Sequence, residues 1–136
     1  MTIDVVSQVA TFLAEKTEKE LGEEMFYYQM PSEVDECTVV QRVRTGRTVL
    51  AVIDAGQHGL RIACRAATSD RAYELALEMY EVLNNREDET TDDQPGFIEL
   101  EETRAQVVLY DTPQFYEQDQ QGRKTFEFYA LLTTKN

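Results

Sequence analysis

The segment from Thr68 to Asn85 restricts the possible folds more than any other stretch of the chain. Thr68-Ser69-Asp70 offers side-chain oxygens to the free N–H groups of a first helical turn. Beyond them Ala72, Leu75, Ala76, Met79, Val82 and Leu83 recur at helical spacing on one broad face, while Arg71, Glu74, Glu78, Glu81 and Asn85 share the opposite one. A helix divided this way must lay its apolar face on another apolar layer, and the flanking sequence offers a sheet. Tyr73, Leu77 and Tyr80 fall on the shoulder of the stripe. Two placements are open to them: contact with the chain's own sheet or solvent, and contact with another subunit.

The strands that would form the sheet lie on both sides of this helix. Met25 to Met30 is dense in aromatics and is stopped by Pro31. Cys37 to Val43 and Leu60 to Ala66 alternate as half-buried strands do, with Gly56-Gln57-His58-Gly59 read as a loop before the second. Thr45-Gly46 suits a tight turn, and Thr48 to Ile53 is apolar and β-branched. After an acidic loop from Arg86 to Gln94, Phe97–Glu101, Ala105–Tyr110 and Thr125–Thr133 read as strands, with Asp111 to Lys124 as a longer connection. Residues 3–21 carry Ile3, Val6, Val9, Ala10 and Leu13 on one stripe, widened by Val5 and Phe12, which predicts an N-terminal helix with Gly22 as its C′ residue. Glu15–Lys19 and Lys16–Glu20 are four apart, as favourable helical surface pairs are. The expectation is an α+β fold: a mixed or antiparallel β-sheet with the N-terminal helix and the second helix packed on it.

At 136 residues the chain reads as one domain, residues 1–136. With 42% hydrophobic residues it can bury a core, and no apolar run approaches the ~20 residues of a membrane span. Met1-Thr2-Ile3-Asp4 has no basic region, so the reading is a cytosolic product without a signal peptide. Cys37 and Cys64 sit inside strands, outside any CxxC, and are expected as reduced, buried, small hydrophobes.

No catalytic constellation emerges. His58, the one histidine, has no Ser or Cys at a motif spacing, and no GxSxG, P-loop, HExxH or GxGxxG is present. Glu99 and Glu101 share a strand face as carboxylates on a wet face commonly do, and no third group converges on them. Asp119-Gln120-Gln121-Gly122-Arg123 has one carboxylate before its glycine, where a calcium loop needs several. The expectation is a non-enzyme with no cofactor and no metal.

Three stretches are similar to a known family: Ile62-Ala63-Cys64-Arg65-Ala66; the helix with Ala72-Tyr73, Ala76, Tyr80 and Leu83; and Pro113, Asp119 and Gly122-Arg123 followed by Phe126-Glu127-Phe128. In these the chain resembles the tail-terminator and minor capsid proteins of long-tailed phages. The segment from Arg44 to Gly59 departs from the family pattern. The resemblance implies a virion subunit, assembled in the host cytoplasm, that caps the finished tail tube as a ring, expected to be a hexamer. Its partners would be further copies of itself, the tail tube protein and the head–tail connector protein, with the free protein a monomer. Leu77, Tyr80, Phe115, Tyr116 and Arg123 are then the candidate subunit or tube contacts, Phe115 and Tyr116 as aromatic anchors unless they tuck back on their own sheet. A neck or head-completion subunit is the nearest alternative, and an acidic adaptor that mimics nucleic acid is the alternative from another class.

The formal net charge of −13 excludes partners more sharply than it names them. Affinity for a phosphate backbone is built from Lys and Arg, and the same argument applies to anionic membrane surfaces. No binding to duplex DNA is expected at physiological salt. A salt-sensitive micromolar transition in a fluorescence anisotropy titration would contradict this.

Overall fold

A computed structural model describes residues 4–43, 56–84 and 97–135. The expected turn at Thr45-Gly46, the apolar stretch from Thr48 and the Arg86–Gln94 loop lie outside the described residues. The elements run α1 (Val5–Thr17), β1 (Met25–Tyr27), β2 (Cys37–Arg42), β3 (Gln57–Ala66), α2 (Ser69–Leu83), β4 (Phe97–Glu99), β5 (Arg104–Gln118) and β6 (Lys124–Lys135). The strands form a six-stranded sheet in the order β1-β2-β3-β6-β5-β4. β1 runs parallel to β2, and the other neighbours are antiparallel. This is the expected α+β architecture, with a mixed sheet.

Register assigns the two faces. Thr38 and Val40 of β2 pair with Cys64 and Ile62 of β3, and those pair with Phe126 and Phe128 of β6. With Leu60, Ala130 and Leu132 they face the helices and join the apolar stripe of α2 (Ala72, Leu75, Ala76, Met79 and Leu83) in one buried cluster. α1 adds Val5, Val6, Val9, Ala10 and Leu13, and Met25 of β1 closes the near edge. The Thr38 hydroxyl, fully buried among these, is satisfied by the Cys64 Sγ at 3.2 Å. Burial pushes the Cys64 thiol up to about 12 and raises that of Cys37 as well, and both are free thiols.

Helix ends follow local chemistry. Thr68 caps α2 by accepting from the Arg71 N–H, and Asp4 caps α1 by accepting from the Ser7 N–H. α1 stops at Thr17, four residues short of the expected end, and the αL residue that terminates it is Glu18 (φ 58) rather than Gly22. The Lys19 N–H reaches back to the Ala14 carbonyl at 2.9 Å, a Schellman-type closure. The cause is visible in the pattern: beyond Ala14 no buried side chain is left to hold another turn on the sheet. Lys19, freed from the expected pairing with Glu15, meets Glu78 of α2 at 3.5 Å.

Strand boundaries also differ from expectation, three of them for visible reasons. β1 ends at Tyr27, because Tyr28 adopts φ 72. Gln57 to Gly59 begin β3 rather than forming a loop, because the Gly56 carbonyl accepts from the Thr134 N–H at 2.8 Å and starts the ladder early. Space at Gly56 is tight, since an added Cβ would stand 3.0 Å from the Thr134 carbonyl oxygen. β4 closes at Glu99, where Leu100 turns back to bond with Thr103.

Leu83 is 2% exposed beneath the sheet-facing side of α2. Leu83→Ala is expected to cost about 2–5 kcal/mol. Glu78→Ala removes only a surface ion pair and should cost under about 1 kcal/mol. Equal losses for the two variants in chemical unfolding would place α2 the other way round.

Candidate assembly surfaces

The expected open connection from Asp111 to Lys124 is for the most part strand. β5 continues to Gln118 and pairs with β6 through two irregularities. Tyr110 lies opposite Tyr129 and Gln114 opposite Glu127, so Asp111, Thr112 and Pro113 together face the single residue Phe128. Pro113 has no N–H for a ladder and is tolerated inside a long strand only at such a bulge; Asp111 takes φ 54 to make it. A second irregularity falls between Phe115 and Glu117, at Tyr116. From sequence the proline falls within a connection, whereas in the structure it sits at a bulge inside β5.

A tight loop closes the hairpin. Gly122 (φ 83) takes the left-handed position, and its N–H donates to the Asp119 carbonyl. The Asp119 carboxylate accepts from the Gln121 N–H at 3.0 Å, the Arg123 N–H at 2.9 Å and Arg123 Nε at 2.8 Å. Partial desolvation pushes the Asp119 carboxyl up, but these bonds outweigh it and hold it below the ordinary aspartate value. Arg123, expected at a contact surface, is 6% exposed. Its Nη1 donates to the Ser32 carbonyl at 2.8 Å and to the Val34 carbonyl and Asp35 Oδ1 at 3.3 Å. Arg65 Nη2 donates to the carbonyls of Pro31 and Val34. Two guanidiniums thus pin the β1–β2 connection to the face of the sheet away from the helices, beside the buried Cys37.

The other half of that face is exposed among the described residues. At its centre Arg61 Nε donates to Glu127 Oε1, Arg61 Nη1 to Gln41 Oε1, and the Tyr129 hydroxyl to Glu127 Oε2. The Tyr116 ring lies 4.7 Å from the Arg61 guanidinium, a cation–π contact. Outward from this network, Val108, Tyr110, Tyr116 and Tyr129 are exposed. Val108, Tyr110 and Tyr129 are not among the residues expected at a contact, although apolar and aromatic residues alternating onto the face away from the helices are the signal in the sequence that marks them.

The remaining candidates lie on the helix side. Phe115 is 54% exposed, yet its ring meets Phe126 edge-on at 5.6 Å, and Phe126 in turn meets Tyr73 of α2 at 5.5 Å. Tyr80 packs edge-on against Phe128 at 5.4 Å, and Leu77 is half-buried. The structure therefore separates Tyr116 from Phe115 and Tyr80 by the thickness of the sheet. Among the described residues no group of three or more His, Cys, Asp or Glu side chains could hold a metal ion, and no helix is long and apolar enough to cross a membrane.

A family model described as bacteriophage tail terminator protein matches residues 12–135. The chain belongs to the phage tail terminator family. The matched range runs from within α1 to the end of β6, so the bulged hairpin, the arginine-pinned connection and the open sheet face all fall inside the terminator region. The family is one of structural proteins that work against other tail and head proteins of the virion. No curated protein matches the chain.

The Asp119 carboxylate stabilises the terminator hairpin only while ionised. Its depressed value means that this contribution is complete above the ordinary 3.8 and is lost as pH falls through the lower folded value. Asp119→Asn should flatten the acid limb of stability against pH. The check is a carboxyl NMR titration of Asp119 together with urea unfolding of both proteins below pH 4.

Proposed function

We propose that this protein ends growth of the tail tube by capping it as a ring of its own copies, expected to be six, and presents the ring's far side to the head connector. The observation that carries the reading is the family match over residues 12–135. The chain acts as a single α+β domain; support comes from one buried cluster shared by both helices and by strands from both halves. It catalyses nothing, and its work is shape and contact. Tyrosines exposed on the open sheet face supply the large, rigid contact area that protein interfaces favour. Free copies stay monomeric because their like charge repels, and the finished tube gathers them. Carboxylates facing a channel let DNA pass without adhering, since phosphate and carboxylate repel at short range.

The test is deletion of the gene from its phage, followed by electron microscopy of the particles. Tails of uncontrolled length, or tails of normal length that fail to join heads, are the expected result. Tails of normal length already joined to heads would refute the reading, and an adaptor role would take its place.

A further inference from the structure

On the sheet face away from the helices, one row of side chains is buried although neither helix covers it. Cys37, Arg65 and Thr125 pair in register across β2, β3 and β6 and are 2%, 7% and 5% exposed. Val39 and Ala63, the pair two positions along, are fully buried on the same face. All five stand outside the apolar cluster that the helices close.

The β1–β2 connection lies over this row. Arg65 donates to the carbonyls of Pro31 and Val34, and Arg123 to those of Ser32 and Val34, so the two guanidiniums share an acceptor. The connection itself buries no residue. Met30, Pro31 and Val34 are half-buried, and Gln29, Ser32, Glu33, Asp35 and Glu36 are exposed. Its two ends are fixed, because the Tyr28 N–H donates to the Val40 carbonyl and the Thr38 N–H to the Glu24 carbonyl. Tyr28, at φ 72, turns the chain out of β1 where the segment begins.

The bonds over the row are polar, and polar bonds exchange for water with little net change when a segment lifts. Arg65 makes no ion pair among the described residues, and its buried Nε finds no acceptor there. The closed arrangement therefore leaves a buried cation incompletely satisfied, and lifting returns water to it. An exposed ion pair between Glu36 and Arg71 at 2.9 Å adds a weak tie to α2. The main cluster, by contrast, joins both helices to residues of all six strands and makes no use of this segment. Opening of the segment thus lies well below unfolding of the whole.

We infer that residues 29–36 are a strap that lifts from the sheet as a unit while the rest of the fold stays formed. Closed, the strap shows Glu33, Asp35 and Glu36 to the outside. Lifted, it bares Arg65, Arg123 and the apolar strip of Cys37, Val39 and Ala63. One end of the sheet face then has two surfaces of opposite charge, and the strap decides which of them a neighbouring molecule meets. The inference does not depend on the ring.

The two cysteines report on it, since Cys37 lies beneath the strap and Cys64 in the main cluster. The full chain is treated with N-ethylmaleimide across a urea series below the unfolding transition, and each cysteine is followed by peptide mass. Cys37 is expected to react at a rate almost independent of urea, and Cys64 only at the steeply urea-dependent rate of global unfolding. Arg123→Gln, which removes charged bonds to the strap, should speed Cys37 about tenfold or more and leave Cys64 tied to global unfolding. Cys37 and Cys64 reacting with the same steep dependence on urea would mean that the strap opens only with the whole fold, and would overturn the inference. A fast Cys37 that Arg123→Gln leaves unchanged would also overturn it, because the thiol is then reached by fraying of β2. Should Arg123→Gln not fold, the wild-type urea series decides alone.

Discussion

The apolar face of α2 and the helix-facing side of β3 and β6 form the contact on which the rest of the molecule hangs. Met79, Leu75 and Leu83 meet Ile62, Cys64, Phe128 and Leu132 in a cluster from which water is excluded. β3 and β6 are the two central strands, so whatever fixes them fixes the register of their neighbours. β2 is carried on β3 over six pairs, and β5 on β6 through both bulges. Because one-residue slippage would turn Phe126, Phe128, Ala130 and Leu132 out of the core, the register of the long hairpin follows from packing beneath it. The surfaces available for assembly are therefore positioned by a contact on the opposite side of the sheet.

That central contact was legible in the sequence because two periodicities met there. Ala72 to Leu83 repeats at helical spacing and Phe126 to Leu132 at strand spacing, and each admits one burial pattern. The hairpin was not legible for an equally specific reason. Pro113 and the polar stretch from Glu117 to Gly122 have the composition of a loop, and only pairing of Gln114 with Glu127 and Phe115 with Phe126 shows that the strand resumes beyond the bulge. Arg123 stands in a family-like stretch, and nothing local to it foretells that its guanidinium reaches carbonyls some ninety positions away in the chain. Long-range polar clamps leave no periodic trace. The same holds for α1, whose end was set by tertiary support running out after Ala14 and not by the glycine downstream.

Placement of charge ties the fold to assembly. The helices and the segment between α1 and β2 carry Glu15, Glu18, Glu20, Glu23, Glu24, Glu33, Asp35, Glu36, Asp70, Glu74, Glu78 and Glu81 against Lys16, Lys19 and Arg71. The four longest strands carry Arg42, Arg61, Arg65, Arg104, Lys124 and Lys135 against Asp111, Glu117 and Glu127. Most of the −13 thus lies off the sheet. A strongly acidic protein associates with its own kind most readily where that charge is thin, and on the thinly charged long strands Tyr110, Tyr116 and Tyr129 are exposed.

The arginine-bearing sheet and the carboxylate-bearing helices give each subunit an electric dipole across its layers, in addition to its net charge. In any assembly with a rotation axis, the parts of these dipoles that point across the axis cancel between copies, and the parts that lie along it add. A small tilt of the sheet relative to that axis therefore decides whether the assembled object is electrically alike at its two ends or polar from end to end. The orientation of a single helix layer would in this way distinguish the end that meets one partner from the end that meets the other, without any residue devoted to the distinction.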